Sequence, residues 1–488
     1  MQVWKKLLKK TKKIKNLKSR LTDGFLLEKM LEFTLLDKNA VELKKFFDDT
    51  TLPFCDLSVG VRYMWKDEYL TSFAIFDDTL ILKNGQKEFK DYFFYPIGKN
   101  IDGALKEIED FAKTKGFLGF CVVDDSLANE LAKKYPDAKI TTDRRWSDYI
   151  YNLEDLAFFK GKRFNGQRNH INKFKKLYNY TTELITKENI DECKLFLTDY
   201  IETLVDDIKK EEVKKTITYL NDIFLLEQVG MVLKVEGKIV GLTIGEVSRN
   251  ILFVHAEKAL TSYQGAYPTL VSEFAKLFVG KAEFINREED CGDIGLRTSK
   301  MQYKPIEIKD KYFVYIDTLF ANCPDTISTK RLTLKTLNDS HKEDYHKLYT
   351  NDDLNKFWGY DYREDLGENK PTPDYFINFA YALKKDKQEY SYAICLKDKM
   401  IGEGLFWNFG FDRSVELGIR LFNEYQGFGY AVETYTSLKE TAFNVLGAKT
   451  VYAKCMKQNL PSKKMILKSG FTNYKEDDIY FYFKAEKV

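Results

Sequence analysis

The chain has 488 residues, 44% of them hydrophobic and 15% aromatic, which is material for about three packed domains and excludes a disordered or fibrous protein. Its 77 Lys and Arg against 74 Asp and Glu leave a net charge of +3, so a dedicated nucleic-acid binder is excluded and any polyanion site must be local. The cysteines are scattered without a C-x-x-C pair, the four histidines have no metal-ligand spacing, and no apolar run reaches the roughly 18 residues of a membrane span, so a reduced, cytoplasmic protein with metal-free chemistry is expected.

In chain order, residues 1–20 hold nine Lys or Arg and no acid. Trp4, Leu7, Ile14, Leu17 and Leu21 recur there at helical spacing, which predicts a basic amphipathic leader, either docked on its own domain or laid on an anionic partner. Strands are expected over 71–76 and 116–123, with an amphipathic helix over 101–112 between them, in a first unit spanning 21–154. A second unit, 155–318, closes on a strand at 311–316. Turn formers and Pro324 mark a linker over 319–330, and a third unit runs from Arg331 to residue 488.

The second and third units repeat one order of elements. In the third, a strand over 414–421 leads into Gln426-Gly427-Phe428-Gly429-Tyr430-Ala431 and a helix to about Val445; a strand over 449–455, Asn459, a helix over 462–469 and a strand over 479–483 follow. In the second, a strand over 251–257 leads into Tyr263-Gln264-Gly265-Ala266-Tyr267 and a helix to about Phe278, then a strand over 282–285, Asn286, a helix over 296–302 and the closing strand at 311. The class expected is α/β in a three-layer α+β arrangement, with mixed sheets flanked by helices.

A glycine-containing loop between a strand and a helix lets backbone N–H groups approach an anion such as a pyrophosphate. With its flanks, from Arg331-Leu332-Thr333-Leu334 to Ser469-Gly470-Phe471, the loop resembles the Q/R-x-x-G-x-G/A signature of the GNAT N-acyltransferases, in the branch that acetylates ribosomal-protein N-termini. The resemblance covers nearly all of 325–488 and implies three GNAT-like units in the chain, the last of which moves an acetyl group from acetyl-CoA to a primary amine of a small molecule or protein. It implies that Gln426, Gly427, Phe428, Gly429, Tyr430 and Ala431 bind the CoA pyrophosphate and that Asn459 orients the pantetheine arm. Most of the family protonates the departing thiolate with a tyrosine where this chain has Ile466; Ser462 is the substitute in the ribosomal-protein branch, and it can also serve as a helix N-cap after Pro461. A carboxylate must take the amine proton, and Glu416, on the strand leading to the loop, is the best candidate over Glu403 and Glu433. Phe357 and Trp358 either line the acceptor pocket or pack in the core.

The region from about 20 to 317 resembles the doubled GNAT-like domain at the C-terminus of phosphatidylglycerol lysyltransferases, through His255-Ala256-Glu257-Lys258, the charged run from Asn286 to Arg297 and Lys300-Met301-Gln302-Tyr303-Lys304-Pro305. That resemblance implies a tRNA-dependent aminoacyl transfer as the alternative activity, with Lys160, Arg163, Arg168 and Arg297 along an acceptor-end channel, or else a non-catalytic recognition module. His255 and Glu257 are either acid–base groups or structural ones, and a buried Glu257–Arg297 or Asp290–Arg287 pair is expected in the structural case.

Overall fold

The computed structural model describes residues 31–135, 137–358, 362–366 and 370–487, so the basic leader over 1–20 lies outside the described residues. The periodic segments form where their patterns place them: Ser72–Phe76 and Phe117–Val123 are strands and Ile101–Lys113 is a helix. That helix starts where Asn100 Oδ1 accepts the Gly103 N–H at 3.0 Å, and it buries one stripe, Ala104, Leu105, Ile108 and Ala112.

Two large mixed sheets carry the repeat. The first runs Glu307–Lys309, Asp148–Asn152, Phe284–Asn286, Ile251–Ala259, Lys238–Ser248, Val229–Val235, Tyr180–Leu184. The second runs Thr326–Ser328, Thr333–Thr336, Glu389–Leu396, Lys399–Trp407, Ser414–Leu421, Thr450–Met456, Tyr480–Glu486, Thr472–Glu476. Each contains one parallel pair among antiparallel neighbours, 251–259 with 284–286 and 414–421 with 450–456, and each follows the first member of that pair with a glycine-led helix. The repeated order is therefore one fold used twice.

The closing strand departs from the sequence reading. Tyr312–Asp317 does not finish the sheet of the second unit; it lies between Phe117–Val123 and Lys139–Thr142 of the first. The corresponding place in the second unit's sheet is filled by Asp148–Asn152, antiparallel to Phe284–Asn286. The order of elements along the chain was legible within each repeat, but strand exchange between two neighbours depends on pairing across some 170 residues, for which alternation along a single strand holds no signal. The halves are also joined by a common core, in which Leu43, Phe54, Leu57 and Tyr63 pack in one cluster with Leu197, Leu220, Leu242 and Ile244.

The third unit docks through the connection between 399–407 and 414–421. Phe411 is buried in a cluster with Phe93, Leu105, Phe120 and Val314, and Arg413 Nη1 donates to Asp137 Oδ1 at 2.8 Å. No helix among the described residues is long and apolar enough to cross a membrane.

Candidate active site

The parallel pairing of 414–421 with 450–456 lasts for three positions, Ser414 with Thr450, Val415 with Val451 and Glu416 with Tyr452. Beyond Glu416 the strands part, so Leu417–Leu421 and Ala453–Met456 form the sides of a wedge with Glu416 and Tyr452 at its apex. The C-terminal end of one side leads into the 426–431 loop, and that of the other into Asn459 and the helix Leu460–Lys468. One side of the wedge is tied to the helix behind it by the Tyr435 hydroxyl, which donates to the Leu417 carbonyl at 3.3 Å.

At the loop, Gly429 has φ +82° and is the N-cap of the helix Tyr430–Thr441, and Gly427 has φ +84°. These left-handed values require glycine, and a side chain would also fill the space an anion needs. A Cβ on Gly427 would meet nothing within 4 Å, and one on Gly429 would meet only the Arg331 guanidinium, at 3.4 Å. Residues 426–429 are exposed, Gln426 Nε2 donates back to the Leu421 carbonyl at 3.0 Å, and Phe428 stacks beside Tyr430. The loop is therefore open, with both glycines already in the left-handed conformation and its backbone accessible to an anion.

The analogous loop of the second unit is closed. A Cβ on Gly265, φ +92°, would stand 2.3 Å from the His170 carbonyl oxygen and 3.0 Å from Phe174 Cβ, because the helix Asn165–Leu177 lies across it. Two loops that look alike in sequence thus differ in access.

The three candidate carboxylates separate cleanly. Glu433 is a structural partner of the 329–331 turn, accepting from the Thr329 hydroxyl at 2.6 Å and from the Arg331 N–H and Nε at 2.7 Å each. Glu403 is fully buried, paired with Arg420 at 2.8 Å and accepting from the Tyr345 hydroxyl at 2.7 Å. Glu416 is buried but only loosely held, 3.4 Å from Asn408 Nδ2 and 3.8 Å from Lys454 Nζ. Burial raises its carboxyl above the usual range, against the smaller opposing pull of Lys454 and Asn408. A carboxylate with spare acceptor capacity and a raised proton affinity is what a general base requires.

Across the wedge, the helix begins at Leu460, so its cap is Asn459, whose Oδ1 accepts the Ser462 N–H at 3.2 Å. Ser462 is thus not the N-cap that its place after Pro461 allowed; it acts on the thiol of Cys455, whose pKa burial raises and Ser462 lowers. Ile466 is buried in the core. Trp358 lies over Gly418, where a Cβ would stand 3.3 Å from its ring, and stacks with the Arg420 guanidinium at 4.5 Å.

Several groups at the site were missed from sequence. Arg331 donates to the Phe428 carbonyl at 3.0 Å and so orients the loop. Glu389, Trp407, Glu416 and Tyr452 form one row across four strands, and Lys454 stands over the Trp407 ring at 4.7 Å. Glu389 is pushed up to about 7 by burial and by the nearby Glu403. The alternation Glu416, Gly418, Arg420 against Leu417, Ile419, Leu421 held the signal for that face; the cross-strand register held the rest.

In the second unit the charged residues are engaged with one another. His255 is fully buried between Glu288, 2.8 Å from Nδ1, and Glu246, 3.0 Å from Nε2. Burial would lower its pKa, but the two carboxylates raise it to about 9. The expected ion pairs form with their partners exchanged: Glu257 holds Arg287, at 3.0 Å from Nε, and Asp290 holds Arg297, at 2.8 and 2.9 Å. The reason is placement, since Arg287 follows the 284–286 strand beside 251–259, whereas Asp290 lies in the turn just before the helix Ile294–Gln302, whose first turn carries Arg297. Arg163 donates to Asp155, and Arg168 to the Phe159 and Gly161 carbonyls. Three of the four cations expected along a tRNA channel are therefore bonded within the chain. Cys55, Asp148 and Glu289 lie close enough together to hold a cation, and the ammonium of Lys311 takes that place, 2.7 Å from Asp148 and bonded to Glu289.

A strand-splayed wedge with an open anion cradle defines the class of the third unit, and residues 331–472 match the acetyltransferase (GNAT) domain family. Residues 53–315, more than half of the chain, match the family of the phosphatidylglycerol lysyltransferase C-terminal domain, and the chain belongs to that family. A conserved protein of unknown function from Bacteroides thetaiotaomicron, known as a crystal structure, is similar at 33% identity and a TM-score of 0.55, over 59% of this chain and 99% of that one. An uncharacterized protein of Mycoplasmoides gallisepticum is 23% identical over 175 residues, 35% of this chain and 56% of its own length, so the chain spans little more than half of that relative. The uncharacterized N-acetyltransferase YoaA of Bacillus subtilis is 24% identical over 151 residues, 30% of this chain and 81% of its own.

Proposed function

We propose that the 331–488 domain transfers an acetyl group from acetyl-CoA to a primary amine of a small molecule or protein. The observation that carries this reading is the open 426–431 cradle at one end of a wedge whose apex holds the loosely bound Glu416. The backbone N–H groups of Gly427 to Ala431 and the N-terminus of the 430–441 helix would hold the pyrophosphate, with Gln426 bracing the loop. Asn459 has its Oδ1 on the Ser462 N–H, which leaves its Nδ2 to orient the pantetheine arm. Glu416 takes one proton from the acceptor ammonium and the freed amine attacks the thioester carbonyl; the carbon–sulfur bond then breaks, and the leaving thiolate takes a proton from Ser462, whose hydroxyl is restored by the second proton that the nitrogen loses.

Calorimetric titration of acetyl-CoA into the full chain and into a Gly427→Glu, Gly429→Glu double variant tests the reading. Saturable binding by the parent, lost in the variant, is expected. Absence of binding by the parent overturns it and makes charged tRNA the next ligand to try.

A further inference from the structure

The acceptor side of the wedge already holds an amine that belongs to the chain. Lys454 lies on the 450–456 strand, two residues beyond Tyr452, the last residue in register with Glu416 and hence on the same face of the sheet. Its Nζ is 3.8 Å from Glu416 Oε1, 4.7 Å above the Trp407 ring and 5.8 Å from the Tyr480 ring. The side chain keeps 32% of its exposure, so it is neither locked in the core nor free in solvent. An ion pair at 3.8 Å without a hydrogen bond is weak, and a long flexible side chain can leave or turn within it at little cost. Other pairs near the site are tighter: Arg420 to Glu403 at 2.8 Å, Arg331 to Glu433 at 2.7 Å. An aromatic face and a buried carboxylate around an ammonium are also the groups that would receive an incoming cationic amine.

We propose that Lys454 is a site of self-acetylation: its ε-amine occupies the acceptor position and is acetylated in cis when no external amine displaces it. The inference rests on the acetyl-CoA reading of the wedge. In the reaction the Lys454 ammonium passes one proton to Glu416, Nζ bonds to the acetyl carbon, and the carbon–sulfur bond breaks. CoA leaves as the thiol with a second proton, and the proton on Glu416 is released to solvent. The product is a neutral amide beside Glu416, so acetylation removes the cation that now sits on Trp407 and alters the charge met by the next acceptor.

The test uses the full chain with isotopically labelled acetyl-CoA and no added amine, followed by digestion and mass spectrometry of every lysine peptide. Label at Lys454 is expected at least about tenfold faster than at an exposed lysine such as Lys99, at a rate independent of protein concentration, as an intramolecular step requires. Glu416→Gln is expected to slow it by about 10²-fold. The Gly427→Glu, Gly429→Glu variant abolishes it, and Lys454→Arg, which keeps the charge on Trp407, leaves no label on that peptide. Calorimetric binding of acetyl-CoA with Lys454 labelled no faster than exposed lysines overturns self-acetylation while leaving the acetyltransferase reading standing. A rate that rises with protein concentration overturns the cis mechanism. Absence of acetyl-CoA binding overturns both readings.

Discussion

Arg331 and Glu433 are joined twice, by the backbone N–H and by Nε, each at 2.7 Å, while Nη1 of the same guanidinium holds the Phe428 carbonyl at 3.0 Å. The first residue of the third unit thereby fixes the loop that frames the cradle. With the Phe428 carbonyl held to one side, the N–H groups of the loop are left to face an anion. Arg331→Met is expected to weaken acetyl-CoA binding about tenfold, the scale of one or two net hydrogen bonds, with the thermal unfolding midpoint little changed. Calorimetric titration of the variant checks this, and unchanged affinity would show that the loop holds its shape unaided.

The raised proton affinity of Glu416 predicts a pH profile. A general base works ionised, so kcat/KM for amine acetylation should be high at alkaline pH and fall as pH drops through a value above the roughly 4.3 of an ordinary glutamate. Glu416→Gln should lower kcat by about 10²–10³-fold and remove that limb of the profile. Initial rates across pH for parent and variant decide it; a limb that persists in the variant assigns the base elsewhere.

His255 predicts a stability profile in the other region. Its folded pKa of about 9 exceeds the unfolded value of about 6.5, so the stability it contributes is complete below the lower figure and lost as pH rises through the upper. At about 1.4 kcal/mol per pH unit the full effect is about 3 kcal/mol. Thermal unfolding of the full chain should show a midpoint falling between about pH 6.5 and 9. His255→Gln should start lower, with Glu246 and Glu288 left facing each other, and vary less over that range; an equal slope in both proteins rules His255 out as its source.

Phe411 predicts coupling between regions. It lies three residues beyond Asn408, the donor to Glu416, and is buried among side chains of the first unit. Phe411→Ala should cost about 3–5 kcal/mol in denaturant unfolding, the range for removing a buried phenylalanine side chain. It should also lower kcat by releasing the loop that carries Asn408, and Phe411→Leu should lose much less of both. Loss of stability with kcat intact would separate the docking contact from the site.

Local pattern reached much of the fold. The 414–421 strand, the glycine turn and the following helix were legible because alternation, φ-permissive glycine and helical periodicity are all properties of neighbouring residues. The same holds for the repeat, since each copy writes its own strand, turn and helix. Glu416 could be singled out as a candidate because it sits on the strand that enters the loop, whereas its neighbours Trp407 and Lys454 come from other strands and Asn408 from the loop after one of them, so their approach to Glu416 has no local mark.

By itself, then, the sequence determined the elements, their order, the repeated unit and the glycine turn between strand and helix at 426–431. Only the tertiary structure decided that 312–317 completes the first sheet and 148–152 the second, and that Arg287 pairs with Glu257 while Arg297 pairs with Asp290. It likewise decided that the Gly265 loop is covered and the Gly427–Gly429 loop open. Each of those outcomes rests on which groups meet across long stretches of chain, and long-range contact is set by packing complementarity between whole elements, which no single window of residues encodes.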